Sequence, residues 1–341
     1  MNRKRTLLMG TAASAAMLAL ILDSRTALSG AAAGVELCLK TVIPSLFPFF
    51  VLSHLLTGVA TGSRIRWLRI IGKWCGIPSG AESIFLTGLL GGYPVGAQCI
   101  SQAYAAGQLR KEDAGRMLGF CSNAGPSFLF GMVGCLFTSG TTAFILWCIH
   151  ILAALIVGCL LPGRRSSTAT LPESRPEPPG QALQQSIRAM ANVCAWVVLF
   201  RVVLGFSEKW FLWLLPKAGQ VIFSGLLELS NGCMDLKQIP EENIRFLLTS
   251  VFLGFGGVCV GMQTLSVTGQ AHLSPGLYFP GKILQAAVSA LMALPVSVFL
   301  FPGTAQIDTI YCLIPLILGC SILLLLKKRK NNSSIPVSSG V

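Results

Sequence analysis

The apolar segment from Ile84 to Ala106 is interrupted at its centre by Gly91 to Gln98, which read GGYPVGAQ. Each side of the interruption is too short to cross about 30 Å of hydrocarbon. Glycine permits the left-handed turn with which a helix folds back on itself. The unpaired peptide groups of such a turn are tolerated at membrane depth only beside protein or a polar cavity. The segment therefore predicts a re-entrant helical hairpin over about residues 82–107.

The same pattern occurs once more in the second half of the chain, again inside an apolar segment. Gly256 to Gln263 read GGVCVGMQ, so both copies follow the pattern G-G-x-x-V-G-x-Q. Segments that are broken by glycine in both halves of a membrane protein indicate a transport site at the ends of half-helices. We therefore predict a second hairpin over about residues 244–268. The alternative is that these glycines only allow close packing between helices.

The composition predicts an all-α polytopic membrane protein. Of 341 residues, 53% are hydrophobic and 11% are charged, whereas about 25% are charged in soluble domains. The net charge of +13 lies in short basic clusters between apolar runs, such as Lys327 to Lys330. Such clusters are typical of cytoplasmic loops. The lipid bilayer is therefore the expected partner, and nucleic acid is not.

The chain divides into two near-equal repeats around a polar linker. The first apolar runs are Leu7–Leu22 and Thr41–Ala60, and the last is Thr309–Leu326. We predict a signal anchor at 1–24, preferred over a cleaved signal peptide, a first repeat at 25–162, a cytoplasmic linker at 163–180, a second repeat at 181–326, and a polar tail at 327–341.

The orientation of the second repeat is ambiguous. An inverted repeat needs Trp210–Leu229 to lie at the membrane interface, which leaves the C-terminus outside. The positive-inside rule favours a cytoplasmic tail, because Lys327 to Lys330 are basic, and then Trp210–Leu229 spans the membrane. We favour the inverted repeat, since the correspondence between the halves is more specific than a terminal basic cluster.

Several polar residues interrupt apolar segments. Glu228 stands among leucines, where a carboxylate is a functional candidate unless it reaches the interface. Lys282 either attracts an anion or extends to the surface. Ser122 and Asn123 precede Pro126, so they either line an unwound stretch or cap its freed carbonyls. The predicted substrate-binding residues are Gly91, Gly92, Gly96, Gln98, Ser122, Asn123, Glu228, Ser230, Asn231, Gly256, Gly257, Gly261, Gln263 and Lys282.

The sequence contains no motif of an enzyme or a metal site. The 12 cysteines form no C-x-x-C pair, the three histidines lie far apart, and no Walker, G-x-S-x-G or H-E-x-x-H motif occurs. We therefore predict neither catalysis nor a cofactor nor a bound structural metal. A coupling ion, Na⁺ or H⁺, and a homo-oligomer stay open.

Five motifs together resemble the sporulation integral membrane protein YlbJ family, over about residues 35–300. They are IPSLFPFF at 43–50, GGYPVGAQ at 91–98, CSNAGPSF at 121–128, ELSNG at 228–232 and YFPGK at 278–282. The resemblance implies nucleoside-recognition Gate modules, which are shared with concentrative nucleoside transporters and with the membrane domain of ferrous-iron transporters. It also implies a transporter-like fold with two hairpins.

The resemblance further implies a function. In spore formers, the family is linked to the movement of dipicolinic acid across the outer forespore membrane. We therefore expect a secondary transporter of a small anionic metabolite, dipicolinate first, in the bacterial inner (cell) membrane or the outer forespore membrane. One alternative is a nucleoside transporter, although the acidic residues with which nucleoside transporters hold ribose have no obvious match at the hairpin tips. Another is a membrane scaffold that transports nothing.

Overall fold

The computed structural model describes residues 3–60, 66–163, 169 and 178–302. Every regular element in these ranges is helical. Five helices of the described part are long and apolar enough to cross a membrane, namely Ser24–Leu55, Gly140–Leu160, Pro179–Trp210, Glu242–Gln270 and Tyr278–Leu300. This architecture fits the polytopic membrane protein that the composition predicts. The predicted last span Thr309–Leu326, the tail 327–341 and most of the linker 163–180 lie outside the described residues.

The helices follow one another with few other regular elements. They are α1 (Arg3–Leu22), α2 (Ser24–Leu37), α3 (Ile43–Ala60), α4 (Arg66–Cys75), α5 (Glu82–Gly91), α6 (Val95–Ala105), α7 (Lys111–Cys121), α8 (Gly140–Leu160), α9 (Pro179–Trp210), α10 (Lys217–Leu227), α11 (Leu229–Asp235), α12 (Glu242–Phe255), α13 (Gly257–Gln270) and α14 (Tyr278–Leu300).

The second apolar helix begins earlier than the sequence predicts. Helix α2 continues through a π-helical turn at Cys38–Val42 into α3, whereas hydropathy places the start of this span at Thr41. The added part packs along α9 through small residues. A Cβ atom on Gly30 would lie 2.9 Å from the Cα of Val202, and one on Gly34 would lie 2.8 Å from the Cα of Val198. Close contact of this kind holds helices together where lipid offers no hydrophobic driving force.

Helices α5 and α6 form a helical hairpin around Gly92. They have ten and eleven residues, so each is about 15 Å long, half the thickness of the hydrocarbon core. They pack side by side, since a Cβ on Gly88 would lie 3.2 Å from the Cα of Gly96. Gly92 makes the turn with φ of 76°. That this hairpin enters and leaves the membrane on one side stays a prediction.

The second G-G pair lies in a bent helix. Helix α12 ends at Phe255, and Gly256, which has φ of 82°, is the one residue between it and the start of α13 at Gly257. Helix α12 packs against α14, while α13 packs against α6, α9 and α10. The two helices do not pack against each other, although both also contact α10 and α11. This geometry differs from the hairpin that the sequence predicts over 244–268.

The tight reversal of the second half lies earlier, at Glu228. Helix α9 runs to Trp210, and after a 3₁₀ turn the chain forms α10 and α11, which pack against each other. A Cβ on Gly232 would lie 2.0 Å from the Cα of Gly225, so the two short helices touch through their backbones. The segment Trp210–Leu229 is therefore interrupted and is not a single span.

Helix α14 joins the two halves. It packs against α12 on one side and against α7 and α8 on the other. It crosses α7 at two glycines, since a Cβ on Gly281 would lie 2.6 Å from the Cα of Gly119. This crossing brings Lys282 beside the point where α7 ends, after which residues 122–125 are non-helical and a π-helical segment covers Ser127–Met132.

Candidate functional site

Four interruptions of the helices meet at one place. A Cβ on Gly92, in the turn of the first hairpin, would lie 3.1 Å from the backbone nitrogen of Gly125, in the break after α7. The ring of Tyr93 rests on Gly256, at the bend between α12 and α13. A Cβ on Gly257 would lie 3.2 Å from the nitrogen of Leu229, beside the reversal at Glu228. The two halves of the chain therefore share one central point.

A pocket opens at this point, with about 440 Å³ of empty space including its mouth. We call it the central pocket. Its side chains with polar groups are Tyr93, Ser127, Glu228, Ser230 and Gln263, and the rest of its lining is Leu46, Phe50, Gly91, Gly92, Gly125, Phe128, Val193, Val197, Leu229 and Val260. A largely apolar wall with a few converging polar groups is typical of sites for small molecules.

Among the residues that the structure describes, Glu228 is the one ionisable carboxylate, lysine or arginine that lines the central pocket. Its Oε1 accepts a hydrogen bond from the backbone N–H of Ser230 (3.0 Å), and its Oε2 accepts from the backbone N–H (2.7 Å) and the side-chain Nδ2 (2.7 Å) of Asn231. These bonds cap the start of α11. The side chain is only 2% exposed and has no ion pair within the described residues. The structure therefore buries Glu228 within the protein, and its depth in the membrane stays a prediction.

The two glutamines of the repeated pattern have different surroundings. Gln263 is buried and lines the pocket, and its Nε2 lies 3.6 Å from the Sγ of Cys259. Gln98 is half-buried on α6 and does not line the pocket. The two glycines that directly follow the valine of the repeated pattern also differ: Gly96 packs against the carbonyl of Cys121, and Gly261 packs against the ring of Phe279. Both of these glycines serve helix packing.

Lys282 lies behind the pocket and does not line it. Its side chain is fully buried, and its Nζ donates to the carbonyl of Ser122, to Oε1 of Gln285 (2.8 Å) and to Oδ1 of Asn123 (3.4 Å). The Nζ also lies 5.3 Å from the centre of the Tyr93 ring, within range of a cation–π interaction. This ammonium therefore binds the chain break after α7, and it neither extends to the surface nor faces the space where a solute would sit.

Side chains from α8 and α14 satisfy the peptide groups of that break. The backbone N–H of Ala124 donates to Nε2 of His150 (3.0 Å), and Nε2 of Gln285 donates to Oδ1 of Asn123 (3.0 Å). Nδ2 of Asn123 donates to the carbonyl of Phe120 (2.7 Å), which is the capping alternative for this residue. Because buried peptide groups need partners, this cluster of Lys282, Asn123, Gln285 and His150, the polar cluster, stabilises the break.

The structure thus separates the predicted site residues into groups. Gly91, Gly92, Glu228, Ser230 and Gln263 line the central pocket; Asn231, Gly256 and Gly257 adjoin it; Ser122, Asn123 and Lys282 belong to the break and its polar cluster; Gly96, Gln98 and Gly261 lie elsewhere on the helices.

Sequence reasoning missed several residues of the site. Tyr93, Ser127, Phe50 and Phe128 line the pocket, and each belongs to a short motif around a proline or a glycine turn. Their positions within those motifs could have identified them from the sequence. Gln285 and His150 could not be identified in this way, because a glutamine or a histidine inside a long apolar helix does not show which chain break it faces.

Comparison with known proteins gives one distant relative of interest. The chain is 25% identical to the sporulation integral membrane protein YlbJ of Bacillus subtilis (strain 168), over an alignment of 312 residues that covers 76% of this chain and 75% of the relative. No family model matches the chain, and no solved structure matches it significantly. The similarity supports the relationship to the family that the motifs suggest, while the nucleoside-recognition modules stay an expectation. Together with the five apolar helices, it supports an integral membrane protein.

Proposed function

We propose that this chain is a secondary transporter that carries a small anionic metabolite across a bacterial membrane, with the solute bound in the central pocket. The observation that carries the proposal is the meeting of four helix interruptions, two from each half, around one pocket. Interrupted helices at the interface of two repeats are where secondary transporters bind substrate. The glycines at these points leave the backbone accessible to a bound solute.

The order of elements supports a repeat. Each half has a hairpin of two short helices, then an interrupted helix, then a long helix: α5–α6, α7 with its break, and α8; then α10–α11, α12–α13 and α14. We infer that Gly92 corresponds to Glu228, and that Asn123 corresponds to Gly256. This correspondence replaces the alignment of Gly91 with Gly256, and the inverted orientation remains part of the proposal.

Dipicolinate is the first candidate substrate. It is a flat aromatic dianion, and the pocket offers the rings of Phe50, Phe128 and Tyr93 for a flat solute. Hydroxyl and amide donors on Ser127, Ser230 and Gln263 suit carboxylates. The relative is a sporulation integral membrane protein by its name, which supports a role in sporulation, and a location in the outer forespore membrane is part of the proposal.

A nucleoside is the second candidate, and one observation favours it. The Glu228 carboxylate in the pocket is an acceptor for sugar hydroxyls, which an uncharged nucleoside supplies and dipicolinate does not. The same aromatic rings suit a nucleobase. The two candidates therefore differ in how they use Glu228.

Uptake by the purified protein in proteoliposomes tests the proposal. Labelled dipicolinate and labelled uridine are compared in the wild type, in Gln263→Ala and in the matched control Gln98→Ala. We expect dipicolinate uptake to fall about tenfold for Gln263→Ala, the effect of one lost hydrogen bond of about 1.4 kcal/mol, and to stay within about twofold for Gln98→Ala.

Three results would contradict parts of this proposal. Absence of uptake for both solutes defeats the transporter and favours a scaffold. Faster uptake of uridine than of dipicolinate favours the nucleoside transporter. Equal loss in both glutamine variants removes the central pocket from the transport path.

A further inference from the structure

The charge of the central pocket does not match an anionic solute on its own. Glu228 is its one charged lining side chain, it is buried, and no Lys, Arg or His of the described residues forms an ion pair with it. Hydrogen bonds donated to a carboxylate favour its ionised form, whereas burial favours its neutral form; Glu228 accepts three such bonds and is buried. An ionised Glu228 would repel an anion in the pocket unless a positive charge lay beside it.

The buried Lys282 forms no ion pair with Glu228. The Nζ of Lys282 is committed to Ser122, Asn123 and Gln285, and its side chain is fully buried outside the pocket lining. Tyr93 contacts both the pocket and Lys282. No basic side chain of the described residues therefore balances an ionised Glu228, and a cation bound beside it would do so.

We propose that the central pocket binds a monovalent alkali cation, with Na⁺ as the expected ion, on the carboxylate of Glu228 next to the solute. This inference rests on the proposed transport function and adds the coupling ion to it. A carboxylate offers about four lone-pair positions, and three N–H groups of Ser230 and Asn231 occupy three of them. The hydroxyl of Ser230 also interacts with the carboxylate, so a cation in the remaining position would take the Ser230 oxygen as a second ligand.

The remaining groups around Glu228 suit a hard cation. Ser127, Ser230 and Gln263 add neutral oxygens to the lining, and oxygen is the ligand atom that hard cations prefer. Helices α5 and α10 end at Gly91 and Leu227, at the pocket and next to Glu228. Helix C-termini carry partial negative charge, and half-helix ends of this kind hold coupling cations in transporters.

The charge count favours one positive charge over two. One carboxylate lines the pocket, and no group of three or more His, Cys, Asp or Glu side chains in the described ranges is placed to hold a metal ion. Divalent cations require more anionic ligands or a substrate phosphate.

Thermal unfolding of the full chain in detergent tests cation binding without any transport assay. The melting temperature is measured in NaCl and in choline chloride at equal ionic strength, at pH 6, 7.5 and 9. We expect Na⁺ at tenfold its dissociation constant to raise the melting temperature of the wild type by about 3 °C. Glu228→Gln removes the Na⁺ effect, and the matched control Glu241→Gln, on the carboxylate that precedes α12 outside the pocket, keeps it.

Glu228→Asp provides a second variant in case Glu228→Gln does not fold, since it keeps the charge and is expected to keep a weakened Na⁺ effect. A wild-type melting temperature that does not respond to Na⁺ overturns the inference, as does an equal response in folded Glu228→Gln. A dependence on pH alone also overturns it, because the positive charge would then be a proton.

The outcomes separate this inference from the transport proposal. A Na⁺ effect that depends on Glu228, without uptake of any solute, supports the cation site and rejects the transporter. Dipicolinate uptake that is unchanged when Na⁺ is replaced by choline supports the transporter and rejects the cation site.

Discussion

The hydroxyl of Tyr93 donates a 2.9 Å hydrogen bond to the backbone carbonyl of Leu253. The first residue belongs to the tip of the hairpin α5–α6, and the second belongs to the last turn of α12. Both groups are buried, so neither finds water if the bond breaks. The bond therefore fastens the hairpin of one half to the bent helix of the other.

Removal of this hydroxyl should weaken the docking of the two halves. We expect Tyr93→Phe to keep the packing of the ring and to lower the stability by about 1–2 kcal/mol, because the Leu253 carbonyl loses its partner. Thermal unfolding in detergent measures the loss. Tyr104→Phe, on the same hairpin but away from the tip, is the control, and an equal loss there would contradict the role of the Tyr93 bond.

The ammonium of Lys282 should contribute to stability. Lys282→Met removes the donor to the Ser122 carbonyl, Asn123 and Gln285 while it fills a similar volume. We expect a loss of about 2–3 kcal/mol, because buried acceptors are left without a partner. Thermal unfolding of Lys282→Met, compared with that of the exposed control Lys237→Met, measures this loss of stability.

A different result for Lys282→Met would restore the anion-binding role that the sequence suggested. That role predicts an unchanged melting temperature together with strongly reduced uptake of an anion. From the structure we expect the opposite result, in which the main effect of Lys282→Met is a lower melting temperature and not a loss of anion uptake.

The bend at Gly256 should not accept a side chain. Gly256 has φ of 82°, and a Cβ would lie 3.1 Å from the hydroxyl oxygen of Tyr93. We expect Gly256→Ala to cost about 1–2 kcal/mol from the backbone conformation alone. Gly269→Ala, on the helix α13 that follows the bend, meets nothing within 4 Å and should be neutral or stabilising, since alanine favours helix. The melting temperatures of the two variants, measured under the same conditions, test this prediction. Equal effects of both substitutions would argue against the bend at Gly256.

The contact between α2 and α9 should depend on Gly34. A leucine at this position would overlap the backbone of Val198, because even a Cβ would lie 2.8 Å from its Cα. We expect Gly34→Leu to reduce the yield of folded protein in size-exclusion chromatography. Gly10→Leu on α1 places the same side chain where nothing lies within 4 Å and should elute like the wild type.

The sequence was informative where the signal is local. Low charge and long apolar runs predicted the helical membrane architecture, and the glycines at 91–92 and 256–257 marked two of the interruptions. Glu228 stood out because a carboxylate among leucines is costly in a membrane, and it lines the pocket.

The shape of each interruption depends on which distant residues pack against it, so this shape could not be predicted from the sequence. Gly92 and Gly256 share a positive φ, yet one reverses the chain and the other bends it, because α6 packs back on α5 while α13 packs on other helices. The reversal at Glu228 has no glycine pair at all. Likewise, the sequence near Lys282 could not show that a chain break 160 residues away would supply its carbonyl partner.

The crossing of α7 and α14 at Gly119 and Gly281 has a mechanical consequence. Helix α14 is tied to the first half by this backbone contact and by Lys282, and to the second half through Gly254, where a Cβ would lie 2.7 Å from the Cα of Ala286. If one half rotated against the other, one of these two contacts of α14 would have to break. We therefore expect α14 to keep its position relative to both halves. Any change in access to the pocket would then come from movement of the short hairpins relative to α14.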